Sequence, residues 1–201
     1  FCEEREMRYT PEHKDKTRAR LLAVGGSVAK KNGFGSTGVD SLMAAVGLTS
    51  GAFYAHFRSK AELLEAIVDQ ELGRSIEWFA NKDPQQLLQA LRAYLSLSHV
   101  THPESGCPLP SLSAEVARAE APTHQTFERR MTELVAAIQH HAADAETAWA
   151  IVAQVAGAVM LARVSRLSAR SPNHLLGDGR WCRITVGVFP VNRPSALRSA
   201  M

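Results

Sequence analysis

Residues Gly38 to Lys60, GVDSLMAAVGLTSGAFYAHFRSK, constrain this chain more than any other stretch. They read as a short apolar-periodic helix, a turn carrying Gly47, and a second short helix that ends in Tyr54, Ala55, His56 and Phe57. Another helix start follows at once. Two such short helices bury too little surface to stand alone. They suit a unit that rests on its neighbours and lays its second helix in a DNA major groove.

The flanking sequence supports that unit. Thr10, Pro11 and Glu12 open a first helix with a hydroxyl cap, proline at the first helical position and an acid in the first turn. Leu21, Leu22, Val24, Val28 and Ala29 follow at helical spacing until Asn32 and Gly33 stop the run. Gly25 and Gly26 interrupt its middle at about 1 kcal/mol each against alanine; the pair either permits close packing or is simply tolerated. Val39, Leu42, Met43 and Val46 give the second helix one apolar face. In the third, Phe53 and Phe57 are one turn apart and point inward, which turns Ser50, Gly51 and Tyr54 outward. Ser59 and Glu62 match a capping box for a fourth helix, which runs through Trp78 and Phe79 to a stop at 81–84.

The remainder is helical by the same reading. Leu87, Leu91, Tyr94 and Leu95 mark one helix. The loop 102–108 leads into another with Leu109, Leu112 and Val116. Pro122 opens a longer one through Phe127, Met131, Leu134, Val135 and Ile138. In the strongest, 145–167, Trp149, Val152, Val155, Ala156, Val159 and Met160 share a face that Ile151, Ala158 and Leu161 widen. That breadth predicts a helix buried on two sides. From Ser171 onward Pro172, Gly177, Gly179, Pro190 and Pro194 break any helix, and Trp181 to Val186 resembles a strand. The expected fold is all-α: an N-terminal three-helix helix-turn-helix DNA-binding domain over 12–60 and a helical ligand-binding and dimerisation domain over 61–170. A tail at 1–11 and an atypical C-terminal segment at 171–201 flank them.

Composition narrows the function classes. Apolar residues make up 45% and charged residues 21% of the 201, ordinary for a globular chain with a real core. No segment approaches the roughly 20 uninterrupted apolar residues of a bilayer span. FCEEREMRY is acidic without an apolar run, so neither membrane insertion nor a secretory signal is expected. Cys2, Cys107 and Cys182 are too widely spaced for a disulfide framework or zinc set, which fits a reducing cytoplasm. The charge is uneven: residues 1–60 carry ten Lys and Arg against six Asp and Glu, and residues 61–170 carry nine against thirteen. A basic head on an acidic body suits contact between the head and a polyanion.

The head resembles the DNA-binding domain of TetR-family transcriptional regulators. The resemblance rests on Asn32-Gly33-Phe34, on Thr37 before the second helix, on Ala45-Val46-Gly47-Leu48-Thr49, and on Gly51 to Lys60 running into Glu62-Leu63-Leu64. It covers about residues 12–70. It implies a homodimer on a near-palindromic double-stranded DNA operator, repressing transcription until a small-molecule effector enters the helical body. Ser50 stands where the family often carries Lys, and the last helix of the family's dimerising bundle is not recognisable after Ser171.

Within that frame the DNA-contacting candidates are Thr37, Thr49, Ser50, Gly51, Ala52, Tyr54, His56 and Lys60. Hydroxyls and free N–H groups at helix starts meet phosphates, and the small Ser50, Gly51 and Ala52 let the helix approach base edges, with Ala52 placed for a thymine methyl. Tyr54 offers a phenolic donor; His56 and Lys60 offer positive charge at the edge. The effector-pocket candidates are Tyr94, Leu95, Cys107, Leu112, Phe127, Met131, Trp149, Val152 and Met160. Cys107 lies in a Gly-Cys-Pro-Leu segment similar to one in several family members; with no basic residue nearby it reads as a buried, inert thiol. Gly33 to Gly38 spells GxGxxG, but a helix precedes it and no βαβ unit surrounds it, so nucleotide binding is not expected. No catalytic residues, metal or cofactor are assigned: the histidine pairs His99/His102 and His140/His141 lack partners at ligand spacing, and no nucleophile–base pair appears. The alternative is a small all-α ligand-binding protein or enzyme whose head does not touch DNA.

Overall fold

A computed structural model describes residues 11–165. Among these are nine α-helices and no strand: α1 (Pro11–Asn32), α2 (Val39–Ala45), α3 (Ser50–Phe53), α4 (Lys60–Phe79), α5 (Pro84–Tyr94), α6 (Leu97–Thr101), α7 (Leu109–Val116), α8 (Ala121–Gln139) and α9 (Ala145–Ser165), with one 3₁₀ turn at Pro103–Ser105. The strand-like reading of Trp181 to Val186 and the segment 171–201 lie outside the described residues.

The head forms around two phenylalanines. Phe53 and Phe57 are fully buried with Leu42, Met43 and Val46 of the α2 region and Leu63 of α4. The turn between α2 and α3 closes by the Gly47 N–H on the Ala44 carbonyl (3.0 Å) and the Leu48 N–H on the Met43 carbonyl (2.9 Å). That pattern needs a left-handed residue, and Gly47 has φ of +72°. Ser59 caps α4 by accepting the Glu62 N–H at 3.1 Å. The second half of the expected capping box is replaced. Glu62 accepts from the backbone N–H (2.8 Å) and guanidinium (3.0 Å) of Arg58, a charge-assisted pair that outcompetes the Ser59 amide.

α4 is shared between head and body. It packs on α1, where Ile67 lies against Gly25, and against α8. Asp69 of α4 receives the guanidiniums of Arg129 and Arg130 from α8, at 2.6 to 3.1 Å; hydrogen bonding to Arg130 holds its carboxyl below the usual range. The glycine pair in α1 serves close packing. A Cβ at Gly26 would lie 2.8 Å from the Glu71 carboxylate. That carboxylate is pinned: the Lys30 ammonium donates to it at 2.6 Å, with both side chains under 5% exposed, and Arg74 donates at 3.2 Å. Lys30 also donates to the Gly106 carbonyl at 2.9 Å. So the last turn of α1 is tied at once to α4 and to the 102–108 loop.

The loop is held by His99. Its Nδ1–H donates to the Tyr94 carbonyl (2.6 Å) and its Nε2 accepts the Cys107 N–H (3.0 Å), an arrangement only the neutral ring completes. Burial lowers its pKa accordingly. Asp83 supplies a full capping box for α5 with Gln86, and the short α6, which the periodicity does not announce, is capped by Ser96.

α9 departs from the expectation of two-sided burial. Ile151, Val152, Val155, Val159 and Ala162 are buried, but Trp149, Met160, Leu161 (64% exposed) and Val164 (77%) form an open apolar stripe. Ala145–Val164 is also long and apolar enough to cross a membrane, with mean hydropathy 1.5, against the expectation that no segment is. Its Arg163 is bound inside the protein, donating to the carbonyls of His99 (2.7 Å) and Val100 (3.3 Å) and to Ser111 Oγ (2.8 Å). A helix anchored this way on α6 and α7 is a packed helix with one apolar side left over.

Lys30→Met leaves the buried Glu71 carboxylate with Arg74 alone and should cost about 3 kcal/mol in urea unfolding, whereas Lys30→Met with Glu71→Leu should recover most of it; equal losses would show the pair is not the source. The unfolded chain protonates its histidines near 6.5 while the folded chain resists at His99, so stability should fall as pH drops below that value, with His99 alone contributing at most about 1.4 kcal/mol per pH unit. His56 shifts the same way, so His99→Asn should shrink the slope without abolishing it. A flat profile from pH 7 to 5.5 in the unaltered protein would contradict this.

Candidate nucleic-acid interface and effector cavity

The anchored phenylalanines decide what α3 shows to solvent. With Phe53 and Phe57 turned in, Tyr54 is 68% exposed, its ring meeting Phe53 edge-on at 5.3 Å. Thr49 stands at the α3 N-cap with no side-chain bond of its own, so its hydroxyl and the first N–H groups of the turn remain open. Gly51 is exposed and a Cβ there would meet nothing within 4 Å. Ala52 is half-buried beside it. These residues form one outward rim with the scale of a recognition helix.

The other candidates are placed differently. Thr37 is buried and its hydroxyl donates to the Gly33 carbonyl at 2.8 Å, so it holds the α1–α2 turn and has no proton left for a phosphate. Ser50 donates to the Asp40 carboxylate. His56 is half-buried with an unpartnered Nδ1, and burial, then Lys14 and Arg18, lower its pKa; it is a neutral ring rather than an edge cation. Lys60 donates to the Gly35 carbonyl at 3.2 Å and its ammonium lies 4.9 Å from the Phe34 ring centre, placing its charge over the turn that precedes α2. Sequence spacing shows which way a residue points, but not whether its hydroxyl is already spent.

The body contains a cavity of about 660 Å³ between α4, the α5–α6 corner and the 102–108 loop. Of the nine expected wall residues only Tyr94 and Cys107 line it. Leu112 and Phe127 border a void of about 10 Å³, room for no more than a water. Leu95, Met131 and Val152 are plain core, and Trp149 and Met160 lie on the open side of α9. An apolar stripe at helical spacing reports burial, and core and cavity wall look alike to it. The polar wall went unread: Lys30, Glu71, Arg74, His99 and Glu104 all border the space. One signal was available. Glu71 falls on the same face of α4 as Leu64, Ile67 and Val68, where an unpaired charge would be costly.

Cys107 is partly buried on the cavity wall, and burial pushes its thiol pKa up, which favours the protonated form. The Tyr94 hydroxyl feels that thiol without completing a hydrogen bond. Among the described residues no three His, Cys, Asp or Glu side chains converge as a metal set.

Comparison with known proteins agrees with this geometry. The profile of bacterial regulatory proteins of the tetR family matches residues 21–67. Two proteins of Pseudomonas putida, the HTH-type transcriptional regulator TtgR and the probable HTH-type transcriptional regulator ArpR, are each 35% identical over 63 residues. Those matches cover 31% of this chain and span only 30% of either relative. Solved structures extend the likeness through the body. Reduced NemR from E. coli superposes with a TM-score of 0.70 at 20% identity, covering 88% of this chain and 99% of that one. A TetR-family regulator from Pectobacterium atrosepticum gives 0.52 at 26% identity, over 92% and 100%. Salmonella enterica GusR gives 0.63 at 17%, over 90% and 98%. At such identities the NemR and GusR likenesses speak for the fold alone. With an outward α3 rim over a buried phenylalanine pair, the head matches the tetR family of bacterial regulatory proteins over residues 21–67, and the helical body shares the fold of a solved TetR-family regulator.

Proposed function

We propose that this protein is a transcriptional repressor that binds a near-palindromic operator as a homodimer in the cytoplasm and releases it when a small molecule enters the body. The observation that carries this reading is the rim of Thr49, Gly51 and Tyr54, held outward because Phe53 and Phe57 are fixed inward. Backbone N–H groups and hydroxyls there set register on phosphates, and the small residues let the short helix reach base edges. Lys60 adds charge at the flank.

Two further features support the remaining parts. The open stripe of α9, with Trp149, Met160, Leu161 and Val164, supplies an apolar face for a second copy. A two-fold pairing there sets two reading heads on half-sites about one helical turn or a little more apart. The cavity shares its wall with the head through Lys30, whose ammonium holds Glu71 and the Gly106 carbonyl. A ligand that shifts either partner shifts the last turn of α1. Operator and effector then bias the same contact, and their coupling is reciprocal.

The test is fluorescence anisotropy on the DNA flanking the protein's own gene, at several salt concentrations. Tyr54→Phe should weaken binding several-fold, about 1 kcal/mol, and Lys60→Ala should lower the salt slope by about one. Unchanged affinity and slope in both would remove α3 from the interface. The double variant Leu161→Glu with Val164→Glu should sediment as a monomer and lose about tenfold or more in operator affinity through lost bivalency; a dimer of unaltered affinity would move the interface elsewhere.

A further inference from the structure

We infer that the cavity takes a flat organic cation, a planar or aromatic ring carrying a protonated amine or amidine, and that Glu104 and Tyr94 are its polar anchors. This rests on reading the body as the effector-binding part of the protein. Unfilled hydrogen-bonding positions on the cavity wall point to such a guest.

Two buried polar atoms on that wall have no partner: Glu104 Oε2 and the Tyr94 hydroxyl. Tyr94 is only 4% exposed, and Glu104 is half-buried with its Oε2 enclosed. Buried acceptors without partners are rare because each forfeits its hydration. The cations on that wall, Lys30 and Arg74, and Arg163 behind it already hold partners. Lys30 gives its protons to Glu71 and Gly106, and Arg74 reaches the other oxygen of Glu71. Arg163 senses the Glu104 carboxylate electrostatically but spends its N–H groups on His99, Val100 and Ser111. What is missing is therefore a donor, and a charged one matches a carboxylate best.

The wall beside these atoms fits a ring. Trp78 and Phe79 meet edge-on with centres 4.8 Å apart, and Phe79 continues to Tyr94 at 6.3 Å. That run presents aromatic surface to a flat guest, and aromatic faces attract cations. A volume of about 660 Å³ holds a molecule of two or three fused rings. An anion would face Glu71 and Glu104, and would have to draw Lys30 from the carboxylate it already neutralises.

Three probes share one ring and differ in charge: 2-(aminomethyl)naphthalene, 2-naphthalenemethanol and 2-naphthoate. Isothermal titration calorimetry on the full chain at pH 7.5 should rank the amine about tenfold or more above the carboxylate, with the alcohol between. Glu104→Gln should erase most of the amine's advantage and leave the alcohol unchanged, and Tyr94→Phe should weaken amine and alcohol alike; thermal melts confirm that both variants fold. Carboxylate binding equal to or tighter than amine binding, an advantage that survives Glu104→Gln, or no heat from any probe at millimolar concentration would each overturn the inference. Operator binding is measured separately. A chain that binds its operator without amine preference loses this inference alone, whereas an amine-selective chain that binds no operator keeps it and loses the regulatory reading.

Discussion

A buried ion pair joins the two halves of this molecule. Lys30 belongs to the last turn of the helix that carries the reading head, and Glu71 belongs to the helix that forms the spine of the body. Such a pair adds little net stability over apolar residues of similar size, because desolvating both charges offsets most of their attraction. Its effect is specificity of placement. The pair fixes α1 on α4 at one register, requires glycine at position 26 to make room, and borrows the Gly106 carbonyl to complete the ammonium's shell. Because that carbonyl lies in the cavity wall, one ammonium touches head, spine and wall at once.

The same economy governs the reading surface. A four-residue helix has no stability of its own. α3 persists because Phe53 and Phe57 are buried against α2 and α4, and because a glycine turn sets its angle to α2. With its inward side fully used, its outward side is free for polar contact with DNA, and smallness at Gly51 and Ala52 becomes an advantage. The apolar side of α9 is the corresponding surplus in the body, left open among the described residues.

Much of this was legible from sequence where a residue type answers to one local requirement. The Phe53/Phe57 spacing gave the orientation of Tyr54, Gly47 gave the turn, and Ser59 gave the start of α4. Legibility failed where a partner from a distant element decides the outcome. Thr37 looked like a phosphate donor, but Gly33 takes its proton; Glu62 looked committed to Ser59, but Arg58 claims it. The cavity is the part least legible in the sequence. Its wall is built from charges brought together across 41 residues between Lys30 and Glu71, a separation that periodicity within a single helix does not reach. The apolar stripes named instead were core, or the open side of α9.

Hydrogen exchange, comparing the free chain with the chain bound to a duplex bearing its operator, tests the central claim most directly. Slowed exchange is predicted over residues 37–60, and also over the 102–108 loop, which Lys30 ties to the head. Slowing at 37–60 alone would contradict the link between head and cavity, and no slowing there at all would contradict the reading head itself.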